Sequence, residues 1–132
     1  MKIIILVPIY NDWQSVSKLL EEINSNIAGL QSQFSIIIVN DASSEQQSIS
    51  ALNTENLHSI KIVNMNENRG HARCIATGLK HIFEKEEFDY VIPMDGDGED
   101  RPEEIKNFVE YLNYSSDTVS YTHLTLPTTP YV

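Results

Sequence analysis

Asp95, Asp97, Glu99 and Asp100 put four carboxylates within six residues, directly after the apolar run Tyr90, Val91, Ile92, Pro93. Side chains two positions apart on an extended chain share a side, so Asp95 and Asp97 can point the same way. Like charges held that close repel. A hard divalent cation relieves the repulsion, with oxygen ligands and often a phosphate completing its shell. A burst of acid at the carboxyl end of a strand also stands where open α/β sheets place their ligands. A solvated acidic turn, eased by Gly96 and Gly98, is the competing reading of these residues taken alone.

The other polar groups of interest lie in loops that leave apolar runs: Tyr10, Asn11 and Asp12; Asn40, Asp41, Ala42 and Ser43; and Asn66 to Gly70. Asp41 has the lone pairs to accept two donors from a nucleobase edge, or simply to cap a turn. Arg69 sits at a predicted helix start, where a cation opposes the helix dipole. A diphosphate beside it would account for that placement. Gly70 supplies either a close backbone approach or a positive φ, or is an ordinary turn glycine. His71 is near enough to touch a phosphate, and exposure at a first helical turn explains it equally well. His58 and His81 have no ligand spacing with another His or with Cys74, which argues against zinc. No glycine-flanked serine elbow is present. Neither GxGxxG nor the phosphate-cradling GxxxxGK[ST] occurs, which disfavours a dinucleotide fold or a P-loop ATPase.

Eight elements are predicted to position these loops. Lys2 to Val7 is continuously apolar after its lysine, as a parallel strand buried on both faces should be, and Pro8 ends it. Trp13, Val16, Leu19, Leu20, Ile23 and Ile27 then recur at helical spacing, with Asn11 or Asp12 placed to cap the first turn. Phe34 to Val39 is a second buried strand. Ser44 and Gln47 have capping-box spacing for a short helix running toward Leu52. Ile60 to Val63 reads as a third strand, Ala72 to Phe83 as an amphipathic helix, and Phe88 to Pro93 as a fourth strand. Pro102 suits the first turn of a last helix, with Ile105, Phe108, Val109 and Leu112 on its inner face. The βαβαβαβα order predicts an α/β fold, a mostly parallel sheet with flanking helices whose strand-end loops all open on one side.

The 132 residues suffice for one domain with a real core. Nine basic against nineteen acidic residues give a formal charge of −10, with no basic stripe to neutralise a nucleic-acid backbone. An anionic substrate would therefore depend on a metal or on a few local cations. Cys74 is the only cysteine, so an internal disulfide is excluded, and its place in an apolar helix pattern makes it a core thiol rather than a nucleophile. The apolar run Ile3 to Val7 is too short for a signal peptide or a membrane span.

Four motifs in order carry a resemblance: Val7, Pro8, Ile9, Tyr10, Asn11, Asp12; Ile38, Val39, Asn40, Asp41, Ala42, Ser43; Asn68, Arg69, Gly70, His71, Ala72, Arg73 with Gly78; and Met94, Asp95, Gly96, Asp97. From about Ile3 to about Leu112 the chain resembles family 2 glycosyltransferases of the GT-A fold. The resemblance implies a Rossmann-like nucleotide-binding half of that fold over residues 1–118. It implies inverting, metal-dependent transfer of a sugar from a UDP- or GDP-linked donor, with Mg²⁺ or Mn²⁺ as cofactor. By position it implies that Pro8, Tyr10 and Asp12 line the nucleoside pocket and that Asp41 holds the base. Arg69 would lie near the phosphates, Asp95 would face the ribose or donor, and Asp97 would ligate the metal. Glu99, Asp100, Arg101, Pro102 and Glu103 are similar to the segment that follows DxD in the branch using polyprenyl phosphate acceptors, such as dolichyl-phosphate mannose synthases. That implies Glu99 as a second metal ligand, polyprenyl phosphate as a candidate acceptor, and a cytoplasmic location or the cytoplasmic face of a membrane. Asn40, Glu99 and Arg101 depart from the usual residues and weaken the branch more than the family.

The family's catalytic base is expected well beyond the acidic cluster. The segment Val119 to Thr129 instead has no charged residue and resembles the translation of a sequencing-library adapter, so residues 119–132 are expected to be a non-native tail and the chain by itself inactive. Two other readings compete. A sugar nucleotidyltransferase would show a glycine-rich basic loop after the first strand, where Pro8 to Asn11 stand. A non-catalytic nucleotide-binding or receiver-like α/β domain would show an acidic pair there instead.

Overall fold

The computed structural model describes residues 1–47, 49, 53–95 and 102–114. Asp97, Glu99 and the segment 119–132 lie outside the described residues. Among the described residues four parallel strands form the sheet, β1 (Lys2–Ile9), β2 (Gln33–Asn40), β3 (Leu57–Asn64) and β4 (Tyr90–Pro93), in the order β3-β2-β1-β4. Among the same residues three helices cover it: α1 (Trp13–Asn26), α2 (His71–Lys85) and α3 (Glu104–Tyr114).

Alternation along the strands assigns the two cores. Ile3, Ile5, Val7 and Ile9 of β1, with Phe34, Ile36 and Ile38 of β2, face α1 and α3 and meet Trp13, Val16, Leu20, Ile23, Ile105 and Val109. Ile4 and Leu6, with Ile37 and Val39, face α2 and meet Cys74, Ile75, Leu79 and Ile82. The period of two delivers β1 to both faces at once, which is why its sequence reads as an unbroken apolar run. Burying such side chains contributes roughly 1.5–3 kcal/mol each, so this strand is a major source of stability.

Strand and helix boundaries follow the sequence pattern closely, with four main differences. β1 does not end at Pro8 but runs on to Ile9, because Pro8 and Ile9 stay in parallel register with Val39 and Asn40. β3 begins at Leu57, three residues before the apolar pattern suggested. β4 begins at Tyr90 rather than Phe88, because Asp89 accepts the Lys2 backbone N–H at 2.7 Å through its side chain. The short helix expected from Ser44 is absent over Ser44–Gln47, and Ile49 is not helical either. The Asn11 amide engages this segment instead: its Nδ2 donates to Ser44 Oγ (2.9 Å), the oxygen a capping box would have used, and its Oδ1 accepts from the Glu45 N–H (2.9 Å). The side-chain cap expected for α1 is also missing. Asp12 occupies the N-cap without a side-chain hydrogen bond, and only its carbonyl engages, accepting from the Val16 N–H at 3.2 Å.

Two packing details generate predictions. Gly78 lets α2 approach the sheet: a Cβ there would stand 2.5 Å from Leu6 Cδ1 and 2.8 Å from Val39 Cγ2. Gly78→Ala is expected to destabilise the fold by about 1–3 kcal/mol despite the roughly 1 kcal/mol that alanine gains over glycine in a helix. Urea unfolding of the variant measures this, and an unchanged or higher midpoint would contradict the close approach.

Cys74 is buried beside Met65, its Sγ donating to Met65 Sδ at 3.5 Å. Burial first, then the charge of Asp41 and a hydrogen bond to it, push the thiol's pKa up to about 12. In the folded chain at pH 8, disulfide-reagent labelling is therefore expected to be at least about 100-fold slower than in urea-unfolded chain, since the reacting species is the thiolate. The folded pKa lies above the unfolded one, so this thiol's contribution to stability is complete below about pH 9 and declines as pH rises toward 12. A Cys74→Ala variant should lack that alkaline decline.

Candidate functional site

In the order β3-β2-β1-β4 the chain runs outward from β1 to β3 and then returns, through α2, to the other side of β1. The direction reverses between β1 and β4. In open α/β sheets, ligands settle outside the carboxyl ends of the strands at that reversal. The residues there are Tyr10, Asn11 and Asp12 after β1, and Met94 and Asp95 after β4.

Backbone hydrogen bonds carry the parallel ladders one step past the strands and level their exits. Asp41 N–H donates to the Ile9 carbonyl (2.9 Å), Met65 N–H to the Asn40 carbonyl (2.9 Å), and Met94 N–H to the Leu6 carbonyl (2.9 Å). Side chains then tie neighbouring loops together. Asn11, at φ 62°, donates its backbone N–H to Ser43 Oγ at 2.8 Å. Asn40 Oδ1 accepts from the Ser43 N–H (3.0 Å) and Oγ (2.5 Å), while its Nδ2 donates to Asn64 Oδ1 at 2.9 Å. The β1, β2 and β3 exits are thus one hydrogen-bonded rim.

Asp41 forms the next link. It is only 4% exposed, and its carboxylate accepts two backbone N–H groups from the loop before α2: Arg69 on Oδ1 at 2.7 Å and Gly70 on Oδ2 at 2.9 Å. Hydrogen bonds to an ionised carboxylate are roughly twice as strong as neutral ones. Gly70, at φ 92°, is the N-cap of α2 and adopts a backbone that side chains disfavour. Ala42, directly after Asp41, is left-handed at φ 55°, a conformation costing a non-glycine residue about 1–2 kcal/mol. The surrounding hydrogen bonds hold it there.

The sequence-predicted residues fall into distinct settings. Pro8 is buried within β1, paired with Val39. Tyr10 is 49% exposed at the rim and Asp12 is exposed beside it. Arg69 is half exposed and ion-paired with Glu67. Arg69, just before the N-cap of α2, and Arg73, in its first turn, line an open cleft of about 450 Å³ with Asn64, Asn66 and Thr77. Asp95 lies across the rim from α2, its Oδ1 3.2 Å from His71 Nε2, an ion pair whenever the imidazole is protonated. His71, ambiguous in the sequence, therefore bridges the start of α2 to the end of β4.

The structure brings Tyr10, Asp12, Asp41, Arg69 and Asp95 to one edge of the sheet. Among the described residues, no three His, Cys, Asp or Glu side chains are grouped to share a metal ion; the expected ligands Asp97 and Glu99 lie outside that set. Asn11 and Ser43, marked in the sequence only as members of strand-exit loops, organise the rim, and Asn64, the last residue of β3, joins it without having been singled out, since rim hydrogen bonds leave no periodic pattern.

Solved structures give the same architecture. The chain superposes on the crystal structure of S. aureus TarS with a TM-score of 0.67 at 22% identity, covering 86% of this chain and 20% of that one. Residues 1–349 of TarS in complex with UDP and with UDP-GlcNAc give TM-scores of 0.67 and 0.64, with about a third of each covered (32%). In sequence, the chain is 29% identical over 121 residues to undecaprenyl-phosphate 4-deoxy-4-formamido-L-arabinose transferase of Klebsiella pneumoniae (strain 342). That match covers 89% of this chain and spans 36% of the relative's length. The family model for glycosyl transferase family 2 matches residues 4–125, ending inside the segment that begins at Val119. With its sheet order, its rim and a match over most of its length, the chain belongs to glycosyl transferase family 2.

Proposed function

We propose that this chain is the nucleotide-sugar-binding part of a metal-dependent, inverting glycosyltransferase, with a polyprenyl phosphate as acceptor. The observation that carries the reading is the convergence of Tyr10, Asp12, Asp41, Arg69 and Asp95 on the sheet edge where the strand order reverses. TarS has been crystallised with UDP and UDP-GlcNAc, and the Klebsiella relative is named for undecaprenyl phosphate, which supports the donor and acceptor classes. A polyprenyl phosphate would bring the reaction to a membrane face. No helix among the described residues is long and apolar enough to cross a membrane itself.

Each group has a physical part in this proposal. The exposed ring of Tyr10 offers a face for the nucleoside, and Pro8 and Asp12 border it; stacking a base on an aromatic ring is worth about 1–3 kcal/mol. Asp41 stands at the base end, and Asp95 faces the ribose or donor. Arg69 sits beside the diphosphate and offsets charge that grows there as the glycosidic bond breaks. Hard carboxylate oxygens at the β4 exit suit Mg²⁺ or Mn²⁺ rather than a softer ion, and Asp97 and Glu99 are the residues proposed to hold it. Such an ion, when bound, neutralises the departing diphosphate. A phosphate acceptor is already anionic, so little base assistance is required, and a single in-line displacement inverts the anomeric carbon.

Calorimetric titration of UDP and GDP, with and without Mn²⁺, tests the binding half of this reading on the chain and on Asp97→Ala. Mn²⁺ is expected to tighten nucleotide binding at least about tenfold, equivalent to 1.4 kcal/mol, and Asp97→Ala to abolish that gain. Equal affinity in all four conditions would refute the site.

A further inference from the structure

We infer that the cleft between the β3 exit and the first two turns of α2 is a phosphate site separate from the nucleotide rim, with Arg73 as its principal ligand. Its chemistry suits a phosphate monoester or diester, free in solution or at the headgroup of a lipid.

The cleft, of about 450 Å³, gathers hydrogen-bond donors: Arg69 and Arg73 with Asn64, Asn66 and Thr77. The only carboxylate among the described residues of its wall, Glu67, is already paired with Arg69, so the cleft as a whole is cationic. In a chain of nineteen acidic and nine basic residues, that balance is the reverse of the average surface. Arg73 is exposed in the first turn of α2, a turn that holds no acidic residue. Among the described residues no carboxylate lies within ion-pair distance of it. A cation in that turn opposes the helix dipole. The fold alone therefore gives no reason for Arg73, and an anion does.

The neutral groups point to the same class of ligand. Asn64 Oδ1 is turned inward, accepting from Asn40 Nδ2 at 2.9 Å, which leaves the Asn64 amide N–H₂ to donate. Asn66 and Thr77 add a second amide and a hydroxyl. A guanidinium flanked by neutral donors matches phosphate, whose oxygens accept several hydrogen bonds at once. β3 lies two strands from β1, roughly 10 Å along the sheet, so the cleft stands beyond the reversal where the nucleotide is proposed to bind. Of the described residues proposed to hold the nucleotide, Arg69 alone lines the cleft.

Glycerol 1-phosphate is the soluble probe, titrated into the native chain and followed by the amide NMR signals of Asn64, Asn66, Arg73 and Thr77. Saturating shifts are expected at these positions, with and without excess UDP. Arg73→Gln is expected to weaken binding at least about tenfold. Lys80→Gln removes the same charge from an exposed position of α2 outside the cleft, and should leave affinity within about twofold. Absence of saturating shifts, equal losses in the two variants, or full displacement of the probe by UDP would overturn the inference. Should Arg73→Gln fail to fold, Asn66→Asp puts a second carboxylate into the cleft wall and must weaken the probe at least as much; unchanged binding would overturn the site. Should the chain bind no UDP, the nucleotide proposal fails while the variants still decide the cleft.

Co-sedimentation with vesicles of phosphatidylglycerol or of phosphatidylcholine identifies the source of the phosphate. Retention on phosphatidylglycerol that Arg73→Gln abolishes and Lys80→Gln keeps assigns the cleft to a lipid headgroup. No retention on either vesicle, with glycerol 1-phosphate still bound, assigns it to a soluble phosphoester. Retention lost equally in both variants would show general charge attraction and overturn the site.

Discussion

Everything at the proposed site depends on the parallel register of β1 with its two neighbours. Ile9 is level with Asn40, and Asn40 with Asn64, while Leu6 is level with Pro93. That register is fixed by burial on both faces of β1, since a slip of one residue would exchange the side chains meeting α1 and α3 for those meeting α2. The apolar strand is thus what brings four polar loops to a common edge. Packing decides the geometry, and polar chemistry occupies the places packing leaves open.

Charge adds a second constraint. A chain of formal charge −10 repels a nucleoside diphosphate at long range, although at physiological salt this field fades within about 8 Å. Recognition must therefore come from local cations. Arg69 is held by Glu67 and Arg73 stands in the first turn of α2, so in the proposed function a diphosphate approaching Arg69 would exchange places with a carboxylate rather than meet an unpaired guanidinium. The pairing between His71 and Asp95 has the same logic on the β4 side. Both sides of the rim thus carry an internal ion pair that the proposed ligand would have to open.

Much of this was legible in the sequence because burial leaves periodic marks. The two-faced apolar runs of β1 and β2 and the 3.6-residue spacing of α1 and α2 follow from which side chains must avoid water. What escaped was chemistry without a period. The capping-box spacing of Ser44 and Gln47 suggested a helix, yet Asn11, more than thirty residues earlier, captures Ser44 and the Glu45 amide first. Asp89 likewise trims β4 by pairing with the N-terminus of β1. Asp41 stood out as important, but its spacing could not say whether its oxygens face a ligand or the protein's own backbone. In each case a long-range hydrogen bond overrode a local preference, and local preference is what a sequence pattern records.

The ion pair of Lys61 with Glu86 has a meaning for self-association. Among the described residues β3 ends the sheet on one side, and an outer strand with free N–H and C=O groups is a template on which another chain can add. Lys61 places a charge in the middle of that strand, half exposed and tethered at 2.9 Å to Glu86 just past α2. A second molecule zipping onto β3 would have to strip water from that ammonium group and crowd its partner. A charge in mid-strand is one of the devices that guard an outer strand against such pairing, while the end of the same strand contributes Asn64 to the rim.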